Sequence, residues 1–222
     1  MNDVVIVMPV MNSGEHLRHA LNSILRNTAY PSYRIIIVES ESNDGTAELC
    51  DEYAKFNPKI TVYHTKREGI TKAINFAINK TTYEDVYLTQ DDVLFVPLYK
   101  RDLISSFAKY AEKEDIGLIT VSNGWGTSGK DYSEGFNWFG TWSLYIPRRT
   151  IEKVGLLDEN FSPGPGDDID YSYRVEKAGL FRSVLNNNWV DHHRLTENFN
   201  DHIEDVKQRN AKYFREKHKI DN

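Results

Sequence analysis

Short β-prone runs alternate with stretches whose apolar residues repeat at helical spacing, and this alternation continues through residue 121. Residues 4–8 (VVIVM), 34–38 (RIIIV), 85–89 (DVYLT) and 116–121 (IGLITV) are nearly continuous apolar runs, as strands covered on both faces must be. A shorter run, 60–63 (ITVY), adds a fifth strand. Between them, Leu17, Ala20, Leu21, Ile24 and Leu25 share one helical face. Three further sets do the same: Leu49, Cys50, Tyr53 and Phe56; Ile70, Ala73, Ile74, Ala77 and Ile78; and Leu103, Ile104, Phe107, Ala108 and Ala111. Asn12 followed by Glu15 predicts a capping box at the start of the first helix. The alternation predicts parallel βαβ units with helices on both faces of one sheet. Ligands of such open sheets sit at the carboxyl ends of the strands, so function is expected in the loops that follow them.

The second half reads differently. Residues 124–140, rich in Gly, Ser, Asn and aromatic residues, read as a loop. A strand over 142–146, a helix over 167–177 and an extended stretch over 183–191 follow. Phe199, Ile203, Val206, Tyr213 and Phe214 predict a closing amphipathic helix. No repeat or linker divides the chain, so residues 1–222 are expected to form one domain. Its parts are a nucleotide-binding half (about 1–122), an acceptor and catalytic half (about 123–196) and a C-terminal helix (197–222).

The charge balance narrows the partners. With 27 Lys and Arg against 33 Asp and Glu, the net charge of -6 disfavours the nucleic acid backbone. A phosphate-bearing ligand stays possible where a metal ion supplies positive charge. A single cysteine, Cys50, excludes an internal disulfide and permits a reducing compartment. The first apolar run is too short for a membrane span and lacks a basic lead-in, and no later run reaches membrane length. A soluble, cytoplasmic protein is expected.

The strand-end loops carry the chemistry. Pro9-Val10-Met11-Asn12 follows the first strand, Glu39 to Thr46 (ESESNDGT) the second, and Gln90-Asp91-Asp92 the fourth. Together with GITKAINFAI (69–78) and VGLLDENF…GDDIDYSYRVEKAG (154–179), these blocks resemble family 2 glycosyltransferases of the GT-A fold. The resemblance runs from Val4 to His193, and five blocks in order make it specific. It implies a three-layer, Rossmann-like α/β nucleotide-sugar-binding domain with a mostly parallel central sheet. Ser42, Asp44, Gly45, Thr46 and Asp91 match the family pattern. Glu39 stands where the family has aspartate, Ser40-Glu41 where it has Asp or Asn and a small residue, Thr89 at the first acid of Asp-x-Asp, and Asp167 at a glutamate.

Residue types fit these places. A carboxylate at Glu39 can accept a nucleobase N–H by a charge-assisted bond, or serve as a loop acid or helix cap. Asp91 and Asp92 repel unless cations or hydrogen bonds compensate, and a hard divalent ion bridges carboxylate to diphosphate. Asp92 can equally start a turn. The resemblance makes Asp168 the general base, while three acids in a first helical turn also suit the helix dipole. Asp170 with Arg174 reads as a structural i,i+4 pair. His192 or His193 stands where some members place a metal ligand.

Phe136, Trp138, Phe139 and Trp142 could stack on a sugar or fill core. Lys72 could reach the diphosphate, or remain a solvated helix residue.

The expectation is an inverting transferase. Pro9, Val10, Asn12, Glu39, Lys72, Gln90, Asp91 and Asp92 bind a nucleotide-sugar donor, UDP-sugar by default. Asp91 and His192 hold Mn or Mg. Trp138, Trp142, Gly166 and Asp167 meet a glycan or other hydroxyl acceptor, and Asp168 is catalytic. The rivals are a non-catalytic sugar-nucleotide or glycan-binding protein and a sugar-phosphate nucleotidyltransferase. This chain lacks the Gly-rich, Arg-containing loop with which the latter opens after the first strand, and it lacks the G-x-G-x-x-G of a dinucleotide oxidoreductase.

Overall fold

The computed structural model describes residues 2–97, 102–123, 125–127, 137–186, 189–193 and 203–220. Five of the strands are those expected: β1 (Val4–Val10), β2 (Tyr33–Ser40), β3 (Ile60–Thr65), β4 (Asp85–Thr89) and β6 (Ile116–Val121). Helices α1 (Gly14–Asn27), α2 (Thr46–Phe56), α3 (Ile70–Ile78) and α4 (Leu103–Ala111) lie between them, with a short strand β5 (Val93–Phe95) before α4. The second half adds β7 (Trp125–Thr127), β8 (Asn137–Phe139), β9 (Ser143–Ile146), α5 (Arg148–Val154) and α6 (Asp167–Lys177). It closes with β10 (Phe181–Leu185), β11 (Val190–His192) and α7 (Ile203–His218).

Seven strands form the central sheet in the order β10-β6-β9-β4-β1-β2-β3. The pairs β1–β2, β2–β3, β1–β4 and β6–β10 are parallel. Side chains alternate across the sheet with period two. Val4, Ile6, Met8, Ile35 and Ile37 pack toward Leu17, Leu21, Ile24, Leu49 and Phe107 of α1, α2 and α4. Val5, Val7, Ile36 and Val38 pack toward Ala73, Ile74, Ile151, Tyr171 and Val175 of α3, α5 and α6. Three layers result, as the resemblance implied.

Several local expectations need correction. The strand expected at 142–146 begins at Ser143, and it runs antiparallel to both β4 and β6. The stretch expected as a loop contains the β7–β8 hairpin, and β5 pairs antiparallel with β11. The extended stretch expected over 183–191 is two strands in different sheets. The capping box does not form. Ser13 occupies the N-cap of α1 without a side-chain capping bond, and Asn12 Oδ1 instead accepts from the Asn43 N–H at 2.9 Å. Phe136 and Phe199 lie outside the described residues.

The chain order reverses at β1, with β2 and β3 on one side and β4 on the other. A crevice therefore opens at the carboxyl ends of β1 and β4, where Asn12 and Asp91 lie.

The C-terminal helix is tied to the sheet layers through α6. Phe161, Ile169 and Phe214 form a small core, with Tyr173 and Tyr213 packed against it. Beside it Asp170, 0% exposed, accepts from Arg174 Nε at 2.7 Å, Lys217 Nζ at 2.6 Å and His218 Nε2 at 2.8 Å. Neutralising a buried acid that faces Arg174, Lys217 and the His218 imidazole leaves the two cations uncompensated. Asp170→Asn is therefore expected to lower unfolding stability by about 3 kcal/mol, the lower end of the range for a broken buried pair because the cations are partly exposed. Urea unfolding should show a lower midpoint at unchanged slope, and an unchanged midpoint would exclude this role.

Candidate active site

The first two strand-end loops are stitched together by side chains of the second. Thr46 Oγ1, at the start of α2, accepts from the N–H groups of Ser13 and Gly14, both at 2.9 Å. Ser42 Oγ accepts from the Asn12 N–H at 2.9 Å. Asn12 and Glu41 hold left-handed backbone, φ 52° and 51°. Glu41 Oε2 accepts from the Arg67 N–H at 3.1 Å and so binds the third loop to the second. Pro9 and Val10 end β1 opposite Val38 and Glu39.

Glu39 is 3% exposed at the end of β2. Its Oε1 accepts from the Ser42 N–H at 2.6 Å, and its Oε2 lies 2.9 Å from His64 Nδ1. Burial pushes its pKa up, but the bonds from His64 and Ser42 outweigh burial and hold it below the usual carboxylate range. Glu39 is thus an ionised acceptor held from two sides, not a solvated loop acid.

Asp91 and Asp92 follow β4 in the crevice. The Ser13 hydroxyl donates to Asp91 Oδ2. Burial pushes Asp91 up to about 6, the Ser13 bond pulls back, and the adjacent Asp92 charge adds to the rise. The structure places His192 on Asp92 rather than on Asp91: Nε2 lies 3.4 Å from Asp92 Oδ2, and the ring stacks on Trp142 with centroids 4.2 Å apart. His193 donates its backbone N–H to the Asp92 carbonyl at 3.0 Å, while its side chain faces Asp191. Among the described residues no three His, Cys, Asp or Glu side chains gather into a metal cage. A hard divalent ion does not need one, since Mg-type ions take one or two carboxylates and complete their shell with phosphate and water. Asp91 and Asp92 fit that donor set.

The third group lies at the start of α6. Gly166, φ 118°, turns the chain into the helix. The Thr71 hydroxyl, on the first turn of α3, donates to Asp167 Oδ2 at 3.0 Å. The α3 entry lies close against the segment before α6. A Cβ on Gly69 would sit 2.2 Å from Ser162 Oγ and 3.0 Å from Pro163 Cα, so only glycine fits. Asp168 is half-buried and hydrogen-bonds to the Trp138 side chain. Burial, and then the Asp167 charge, push Asp168 up to about 7. Burial also pushes Asp167 up, and the Thr71 bond opposes it.

The structure thus brings Trp138, Gly166, Asp167 and Asp168 together, and groups Asp92, Trp142 and His192. Phe139 is buried core rather than a platform. Lys72 is engaged with exposed Glu68 at 2.9 Å, a solvated helix pair. Gln90 is half-buried, and its carbonyl accepts from the Val93 N–H at 3.3 Å. Thr89 is buried in the sheet opposite Ser143.

Sequence reasoning missed Ser13, His64 and Thr71 as partners of the three acids. Only His64 left a legible trace: the parallel β2–β3 register sets it opposite Glu39.

Comparison with known proteins bears on the fold and the family. The glycosyl transferase family 2 model matches residues 5–161. Among curated relatives, glycosyltransferase GlyG of Streptococcus pneumoniae is 24% identical over 52% of this chain and 37% of its own length. GlyA of the same organism is 25% identical over 51% of this chain and 16% of its own. The match thus spans well under half the length of these relatives. Among solved structures, a mannosyltransferase from Pyrobaculum calidifontis in complex with GDP-Man and Mn2+ superposes with TM-score 0.74 and 18% identity, over 100% of this chain and 67% of that one. GalNAc-T7 with UDP, GalNAc and Mn2+ gives 0.67 and 15%, over 86% and 43%. These likenesses show the GT-A fold. With a family model covering most of its sheet and its strand-end loops, the chain belongs to glycosyl transferase family 2.

Proposed function

We propose that this chain transfers a sugar from a nucleotide-diphosphate sugar to an acceptor hydroxyl with inversion at the anomeric carbon, in the cytoplasm. The observation that carries the reading is Asp168, poised near neutrality beside Asp167 and Trp138 at the start of α6. The acceptor oxygen attacks the anomeric carbon, and its proton passes to the Asp168 carboxylate. The bond from that carbon to the diphosphate breaks, and the nucleoside diphosphate leaves. No covalent enzyme intermediate is required. Glu39 accepts from the nucleobase, with Pro9, Val10 and Asn12 lining the same loop. Asp91 and Asp92, with His192 behind Asp92, would hold a divalent ion, Mn or Mg, which supplies charge neutralisation for the leaving diphosphate. Neighbouring folds have been solved with GDP-Man, UDP and UDP-GlcNAc, and UDP-sugar is the first donor to test. Trp138, Trp142, Gly166 and Asp167 border the acceptor side.

Thr89, Ser40 and Glu41, which depart from the family pattern, favour a non-catalytic binding protein. Thr89 is fully buried in the sheet opposite Ser143, and Asp91 is the acid that follows it. Slow donor hydrolysis without acceptor separates the two.

Asp168→Asn should leave UDP affinity nearly intact while transfer falls by about two to four orders of magnitude, the range for loss of a general base. In wild type the base must be deprotonated, so kcat/KM should rise with pH toward about 7 and level off above it. Near-wild-type transfer by the folded variant would remove Asp168 from this role.

The metal assignment has its own check by calorimetry. UDP should bind more tightly with Mn2+ or Mg2+ than in EDTA, and Asp91→Asn should narrow the difference. Equal affinity in EDTA refutes it.

Glu39→Gln keeps size and exchanges an acceptor for a donor. Nucleotide affinity should fall by about 1.5–3 kcal/mol, the scale of a hydrogen bond to a charged group. An unchanged dissociation constant would make Glu39 structural.

A further inference from the structure

Glu39 faces His64 across the β2–β3 ladder, and the imidazole has a carboxylate on each side. Its Nδ1 lies 2.9 Å from Glu39 Oε2, and its Nε2 lies 3.1 Å from Asp51 Oδ1 on α2. A neutral imidazole has one donor and one lone pair, so either tautomer would aim a lone pair at a carboxylate oxygen. Only the imidazolium satisfies both contacts, and its pKa is pushed up by its bonds to Glu39 and then Asp51. The charged and titratable groups around it are Glu39 from β2 and Asp51 from α2, with the Cys50 thiol beside Glu39. Cys50 stays neutral, because burial and then the Glu39 charge push it up to about 12. β3 is the outer strand of the sheet.

Glutamate at this place has one more rotatable bond than the aspartate the family pattern carries, and holding it still costs more side-chain entropy. The Ser42 N–H fixes one oxygen, and His64 fixes the other. We propose that His64, backed by Asp51, is a positioning residue that orients the Glu39 carboxylate and keeps it charged for the donor nucleobase. This rests on the reading of Glu39 as the base contact. Without His64 the burial of Glu39 remains while one oxygen loses its donor. The carboxyl then takes up a proton in mild acid and presents a donor to the base N–H instead of an acceptor.

The test is calorimetric titration of the full chain with UDP and with GDP, each with Mn2+, from pH 5 to 8. His64→Leu should weaken binding of the preferred nucleotide by roughly tenfold, the scale of one bond to a charged group. The ratio of variant to wild-type Kd should grow as the pH falls. His64→Asn, whose amide nitrogen can take the place of Nδ1, should recover most of the affinity. A loss of equal size at every pH and in both variants would mean that His64 only supports the local fold, and would overturn the proposal. Wild-type binding by His64→Leu alongside weakened Glu39→Gln would overturn it too, with the base contact intact. Wild-type binding by Glu39→Gln would remove both readings together. Asp51→Asn, at a side chain 65% exposed, should show the same pH trend with a smaller loss, and carries the test if the leucine variant melts too early.

Discussion

β1 exposes no side chain from Val4 to Met8, and its backbone is bonded to β2 on one side and β4 on the other. A strand buried on both faces and paired on both edges has no freedom to shift register, because a slip of one residue would exchange its two apolar faces. That constraint fixes where the neighbouring strands end. Asn12, Glu39 and Asp91 are therefore delivered to one edge of the sheet by hydrophobic packing that involves none of them. Thr46 and Ser42 then lock the loops by accepting the backbone N–H groups that the turns leave over.

The same edge concentrates acids, and the protein treats each one differently. Glu39 is buried but surrounded by donors, so it stays charged. Asp91 is half-buried beside another acid and accepts from the Ser13 hydroxyl, and its charge is disfavoured by burial and by Asp92. Asp168 shares its turn with Asp167 and is tuned upward by burial and by that neighbour. Three environments thus set the charge preference of one functional group in three different ways.

How much of this could be read beforehand follows from the range of each interaction. Periodicity is local, so the limits of β4, β6, α3 and α6 agree with the expected 85–89, 116–121, 70–78 and 167–177. The direction of β9 is not local. Its four residues Ser143–Ile146 would suit either direction, and only their place between β4 and β6 decides it. Asn12 shows a competing bond winning: its side chain could have capped α1, but the stitched loop offers it the Asn43 N–H instead. Partners such as Thr71 for Asp167 lie 96 residues apart, and no spacing rule connects them.

The opening of α6 shows how a helix separates roles that composition leaves mixed. Asp167, Asp168 and Asp170 all suit the positive end of the helix dipole, so type and position alone do not sort them. Each residue turns about 100° from the last, so the three carboxyl groups leave the axis in different directions. Asp167 meets Thr71, joining the helix to α3. Asp170 meets Arg174, Lys217 and His218, joining it to α7. Both directions are closed by protein. Asp168 lies between them in sequence and points to neither partner. Its neighbour is the Trp138 side chain at the half-exposed rim. Three steps of about 100° bring Asp170 back to within about 60° of Asp167, so these two acids anchor one side of the turn and leave Asp168 directed away from both. The direction of the Asp168 carboxylate is thus set by contacts to two other helices rather than by the local sequence.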